Sequence, residues 1–210
     1  MEVVSTAVIS SWDRFYRGNF INSLSGFKSA SLIATVNSSG IPNLAIFSNL
    51  VHIGADPALI GFINRPREAA PHTLGNIESN HSYTINHIHP SFVDKAHQTS
   101  AKYEKEVNEF EAVGLTEEWL EGSIVPFVKE SKVSYQLELV EIVPIQHNNT
   151  YFVIGKVQRV RFAKEILQAD GFLALEKADS ITSLGLDAYY SVQPIGRYAY
   201  AKAEKPLERI

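Results

Sequence analysis

The chain has 210 residues, 45% of them hydrophobic and 20% charged, with a formal net charge of -4 at pH 7, the profile of an ordinary globular protein rather than a disordered or fibrous one. Zero cysteines exclude disulfides, thiolate metal sites and a cysteine nucleophile together. A pI near 6.0 offers no basic footprint for nucleic acid, and no apolar run approaches the ~20 residues that cross a bilayer, so an anion must be captured by a few local Arg, Lys or backbone N–H groups.

One domain over residues 1–210 is expected, with a lead-in over 1–28 and an extension from about 191 to 210. The start, MEVVSTAVISSWDRF, has an acidic second residue and no basic n-region, so it does not read as a secretory signal and a cytoplasmic protein is expected. Trp12, Phe15, Tyr16, Phe20 and Phe27 load the lead-in with aromatics without clean periodicity. This segment is expected to pack across the body of the protein or across a partner. The apolar run 31–36, the turn Asn37-Ser38-Ser39-Gly40 and the run 44–47 form a hairpin, and 58–63 after Asp56-Pro57 is a third strand. Strands this closely spaced predict an antiparallel barrel or meander. The loop 64–71 carries Arg65 and Arg67, and Thr73 is expected to N-cap a short helix whose free N–H groups would make a local anion site.

Residues 82–88 alternate, with Tyr83, Ile85 and His87 on one face, and Pro90 ends the strand. A helical segment is predicted over 92–103, an acidic stretch with a helix start at Thr116 over 104–121, and a second hairpin from 132–143 and 151–162. The last predicted element is a helix over 178–185. Asn148-Asn149-Thr150 has the glycosylation spacing but reads as a turn. His81, His87, His89 and His97 invite a metal reading, yet no compact motif such as His-Glu-x-x-His unites them, and structural or ligand-lining roles are preferred. There is no Gly-x-Ser-x-Gly elbow, no Gly-x-Gly-x-x-Gly turn and no P-loop.

Several pieces occur in an order that resembles the flavin reductase-like family, from about Ser31 to about Tyr190. They are Gly40-Ile41-Pro42-Asn43, Ser48, Asp56-Pro57, Thr73-Leu74 with Asn76-Ile77, His97 to Ser100, Glu109-Phe110-Glu111 with Gly114-Leu115-Thr116, Pro126, Glu130-Ser131 and Ile154 to Val157. The resemblance implies a mainly β fold with peripheral helices, an antiparallel split β-barrel of the FMN-binding type. It further implies FMN, with FAD as the alternative, NAD(P)H as a transient co-substrate, and a homodimer with flavin near the interface. A partner monooxygenase is one recipient of the reduced flavin.

The residues suit that chemistry, because the cofactor carries the redox step and the protein supplies position and electrostatics. Ala45, Ile46 and Phe47 offer an apolar slot, Asn43, Ser48 and Asn49 polar edges, Arg65 with Thr73 a phosphate clamp, and Ser100 a further phosphate or ribityl contact. Pro71-His72 stands where the family often has a charged pair, so His72 is a weaker phosphate contact than Thr73. No side chain need act as acid or base, and none is nominated. The plainer readings are that Ser48 and Asn49 merely end a strand and that the arginines are solvated loop charges. A binding module that stores or senses FMN without turnover shares every one of these features, and a heme- or pyridoxal-related split barrel is a third reading.

Overall fold

The computed structural model describes residues 1–210. Two helices, α1 (Thr6–Ser11) and α2 (Arg14–Leu24), occupy the aromatic lead-in, and each has a side-chain cap: Ser5 accepts from Val8 N–H, and Asp13 from Phe15 N–H at 2.8 Å. Then come β1 (Lys28–Ser29), β2 (Ser31–Val36), β3 (Pro42–Phe47), β4 (Leu50–Ala55) and β5 (Ala58–Asn64). Helix α3 (Pro71–Asn80) and β6 (Ser82–His87) lead to the short helices α4 (Val93–Gln98) and α5 (Glu109–Val113). The two-residue strands β7 (Glu117–Glu118) and β8 (Phe127–Val128) precede the long hairpin β9 (Val133–Ile145) and β10 (Thr150–Phe162). The chain ends with β11 (Thr182–Leu184), β12 (Ala188–Tyr190) and an extended tail. No helix is long and apolar enough to cross a membrane.

Seven strands form one antiparallel sheet in the order β3-β2-β6-β9-β10-β5-β4. The end strands β3 and β4 are separated in sequence by Ser48 and Asn49 alone. A two-residue link between opposite ends of a sheet requires the sheet to curl fully round, yet β3 and β4 share no ladder. The result is a split β-barrel with its seam at Ser48-Asn49.

The pattern of β2 explains the core. All six of its residues are buried, as a near-continuous apolar run requires when both faces of a strand are covered. Ile33 faces the barrel interior with Phe62, Tyr83, Ile85, Leu137 and Val153, closed by Leu74 and Ile77 of α3. Leu32 and Ala34 face outward and pack with Leu44 under Ala96 of α4 and Phe110 of α5. Two buried polar side chains of β6 are paired on this frame: Asn86 donates to Leu32 C=O and accepts from Val128 N–H, and Thr84 donates to Pro126 C=O at 2.7 Å.

Several sequence expectations need correction. Strand β4 was not anticipated, because it is an edge strand with Val51 and Ile53 exposed and shows no burial pattern to read. Thr73 is not an N-cap: α3 begins at Pro71, whose missing N–H and fixed φ suit the first helical position, and Ala70 takes the cap without a side-chain bond. The helix expected over 92–103 is a 3-10 turn (Pro90–Phe92) followed by α4 only. At Thr116 there is no helix start; its N–H is bound by the Glu130 carboxylate at 3.0 Å and the chain enters β7. The helix expected over 178–185 is instead a 3-10 turn (Leu175–Ala178) and strand β11. Asp179 at φ 53° and Gly185 at φ 65° bracket it in left-handed backbone that interrupts a helix, and β11 pairs with both β1 and β12.

Candidate functional site

A cleft of about 370 Å³ runs along the free edge of β3 at the barrel seam. Every residue nominated from the sequence lines it: Asn43, Ala45, Ile46 and Phe47 from β3, Ser48 and Asn49 from the seam, Arg65 after β5, His72 and Thr73 from α3, and Ser100 after α4. Residues 30 to 57 positions apart in sequence are thus brought together by the closure of the sheet.

The edge of β3 is built for hydrogen bonding. Leu44 N–H points away from β2 and is bound by the Glu109 carboxylate at 3.1 Å. Residues two apart in an antiparallel strand turn their peptide groups the same way, so Ile46 presents its N–H and C=O to the same open side. The apolar wall therefore carries a backbone donor and acceptor as well as side chains. Asn49 is a clasp across the seam: its side chain donates to Ile63 C=O at 2.8 Å and accepts from Ile63 N–H at 3.2 Å. That clasp fixes the end of β5 and with it the start of the Arg65 loop.

The cationic part of the cleft is assembled from three segments. Helix α3 has no side-chain cap, so the N–H groups of His72 and Thr73 have no intrahelical partner and carry the positive end of the helix dipole. Arg65 is exposed and makes no side-chain hydrogen bond or ion pair within the chain, whereas Arg67 is bound in a two-pronged pair with Glu78 and lies over the Tyr151 ring at 4.9 Å. Ser100 and Lys102 complete the set from the loop after α4. Asn43 donates to Thr73 Oγ1 at 3.4 Å, holding the helix start against β3.

Sequence reasoning missed Lys102, Tyr103, Glu109, Ser183 and Tyr189, all of which line the cleft. Lys102 follows Ser100 by two residues and is legible as a second cation; Ser183 is not, since it falls in the expected helix 178–185, and Tyr189 lies in a segment to which no element is assigned from sequence. Glu109 is buried at the cleft wall, and burial pushes its carboxyl above the ordinary range despite the Leu44 and own-backbone hydrogen bonds that oppose the shift. His87 plays a structural part. His87 pairs with Ser180 Oγ at 3.1 Å, and burial drives its imidazole down to about 4, so it is neutral at pH 7. No three His, Asp or Glu side chains converge as a metal site.

A family model described as flavin reductase like domain matches residues 24–176. A solved structure of a candidate flavin reductase with a split barrel domain from Shewanella frigidimarina NCIMB 400 is 44% identical, with a TM-score of 0.92, covering 96% of this chain and 100% of that one. Nitrilotriacetate monooxygenase component B from Bacillus cereus is 19% identical with a TM-score of 0.81, covering 92% and 96% respectively. An uncharacterised protein of Aquifex aeolicus strain VF5 is 28% identical over 155 residues, 73% of this chain and 78% of that protein.

Proposed function

The chain belongs to the flavin reductase-like family, and from that premise we propose that it holds FMN in the seam cleft and uses NADH or NADPH to reduce it. The observation that carries this reading is the joining, in one cleft, of an uncapped helix start, an unpaired Arg65 and Lys102 with an apolar strand edge that exposes a peptide group. A helix N-terminus beside free cations suits a phosphate on a protein of net negative charge. A single such cluster matches the monophosphate of FMN better than the diphosphate of FAD.

FMN supplies the redox chemistry when bound, accepting hydride from the nicotinamide. The chain's own residues bind and orient. His72 and Thr73 N–H, Arg65, Lys102 and Ser100 hold the phosphate; Ala45 to Phe47 give the ring an apolar wall, with Ile46 N–H and C=O, Asn43 and Ser48 available to its polar edges. Asn49 acts through Ile63, keeping the seam and the Arg65 loop in register. Glu109 holds the same free edge of β3 by accepting from Leu44 N–H.

The acceptor class proposed for the reduced flavin is an external monooxygenase, a reading that the component B identity of the Bacillus cereus neighbour prompts. The assembly proposed is a homodimer with the flavin near the interface. Neither α1 nor α2 buries a residue against its own chain, and short isolated helices are marginal in water. Phe15, 77% exposed, and Tyr16, 62% exposed, need a covering surface.

The test is anaerobic stopped-flow mixing of the FMN-loaded protein with each nicotinamide. Bleaching of the flavin absorbance near its visible maximum with at least one of them is expected. Flavin binding without bleaching by either would replace the reductase reading with that of a flavin carrier.

A further inference from the structure

The cleft has a wall that the family match does not reach. Strands β11 and β12 lie beyond residue 176, where the family model stops, yet Ser183, Gly185, Leu186 and Tyr189 all line the cleft. The hairpin is anchored from both sides. Ser183 is in register with Lys28 of β1 and with Tyr189 of β12. Ile181 exchanges backbone bonds with the main body, its C=O accepting from Ala30 N–H and its N–H donating to Ile88 C=O at 3.1 Å. Since Ala30 immediately precedes Ser31, the register partner of Phe47, the hairpin stands against the Phe47–Ser48 end of the cleft.

Two side chains stand out on this wall. Tyr189 is half-buried, packed on the same cluster as Ile46, and its hydroxyl is hydrogen-bonded to His97 Nδ1 at 2.8 Å, with the two rings edge to face at 5.8 Å. His97 does not line the cleft whereas Tyr189 does, so the bond anchors the Tyr189 hydroxyl to a residue outside the lining. Burial, with the Asp187 carboxylate in second place, holds the phenol above its ordinary range and keeps it protonated at neutral pH. Ser183 is 3% exposed and its hydroxyl has no hydrogen-bond partner in the chain. A buried hydroxyl without a partner costs free energy that a ligand can return.

We propose that the β11–β12 hairpin is a ligand-recognition wall in which Tyr189, tethered by His97, is the aromatic platform for the isoalloxazine ring and the Ser183 hydroxyl is a hydrogen-bond partner for its polar edge. The proposal rests on the flavin reading above. Its physical basis is pre-organisation: a tethered aromatic loses little freedom when a planar ring packs on it, and an aromatic contact of this kind strengthens binding by roughly twofold to tenfold. Tyr189 touches the ligand; His97 is a positioning residue that acts through it. Tyr103, the other tyrosine at the cleft, is a weaker platform, because it sits in the cationic loop beside Lys102 and its hydroxyl accepts only a 3.3 Å bond from exposed Gln98.

The experiment is titration of the full-length protein with FMN, riboflavin and lumiflavin, recording both dissociation constants and the fluorescence of the bound flavin. A phenol in contact with isoalloxazine quenches it. Tyr189→Leu should weaken all three ligands by a similar factor, about fivefold, and brighten the bound flavin severalfold; Tyr189→Trp should restore both affinity and quenching. His97→Leu should brighten bound flavin partially, with His97→Gln closer to wild type, and Ser183→Ala should weaken lumiflavin as much as FMN. Far-UV circular dichroism of each ligand-free variant reports folding separately. If wild type binds flavin but Tyr189→Leu binds it as tightly and as darkly, the platform is overturned and the flavin reading stands. If Tyr189→Trp fails to restore quenching that Tyr189→Leu has lost, a packing role replaces recognition. Failure of wild type to bind any flavin overturns the reading beneath both.

Discussion

Arg65 and Arg67 flank a single proline and are chemically identical, yet their surroundings divide their roles. Glu78 occupies the Arg67 guanidinium on both prongs and Tyr151 lies beneath it, so Arg67 belongs to the α3 surface. Arg65 has no partner in the chain and borders the cleft. A charge-assisted bond to a phosphate contributes roughly 1.5–3 kcal/mol, or about tenfold to hundredfold in affinity. Arg65→Ala is therefore expected to weaken FMN by that factor and riboflavin by less than about threefold, whereas Arg67→Ala should leave both nearly unchanged; isothermal titration calorimetry measures all four. Equal losses for FMN and riboflavin would remove Arg65 from the clamp. The sequence displayed both arginines but not which one was already paired, since Glu78 lies 11 residues from Arg67 and only the turn of α3 brings it back.

Among the elements, β10 shows how a strand's glycine can be dictated by a neighbour two strands away in the sheet. The β9–β10 ladder slips between Ile154 and Gly155, and there Tyr83 of β6, fully buried, fills the barrel interior. A β-carbon at Gly155 would lie 2.1 Å from Tyr83 Oη and 3.0 Å from Leu137 Cβ, and the barrel centre has no slack to yield. Gly155→Ala should destabilise the protein by about 1–3 kcal/mol in urea unfolding. Tyr83 Oη has no hydrogen-bond partner, so Tyr83→Phe should cost little alone; because Tyr83 Cζ would still lie 2.9 Å from the added β-carbon, the double variant should recover only part of the loss, and full recovery would show that the hydroxyl is the sole obstacle. The same hairpin supports β5 along six register pairs and so supports the strand from which Arg65 leaves. Alternation made this hairpin readable in sequence, as did the unbroken apolar run of β2. The segment 178–185 was misread because three residues of strand in a mixed apolar and polar context have no period to distinguish them from a helical turn, and their pairing partners Lys28 and Ser29 lie about 150 residues away.

At the scale of the whole molecule, a closed core coexists with ends that have little to pack against. Both N-terminal helices lack buried residues, and Phe27 beyond them is 63% exposed with an edge contact to Tyr190. If they clasp a second copy, wild type should sediment as a dimer and a variant lacking residues 1–24 as a monomer that still binds FMN more weakly; a wild-type monomer, or a truncated dimer of equal stability, would overturn the homodimer. The C-terminal tail is tied more locally, with Arg197 stacked over Phe172 at 4.0 Å and paired with Asp170 and Gln168, and so completes the outer surface rather than the cleft. The amino-acid sequence by itself displayed the main strands in local periodicity and turn chemistry, and the order of its motifs carried the resemblance that implied the family, the split-barrel class and the ten residues that line the cleft. Only the tertiary structure decided which cations are free, that the α3 start is uncapped, and that β11–β12 supplies a wall with Tyr189 and Ser183. Those properties depend on which distant groups meet when a seven-stranded sheet curls until its two ends are joined by Ser48 and Asn49, and no local pattern in the chain records such meetings.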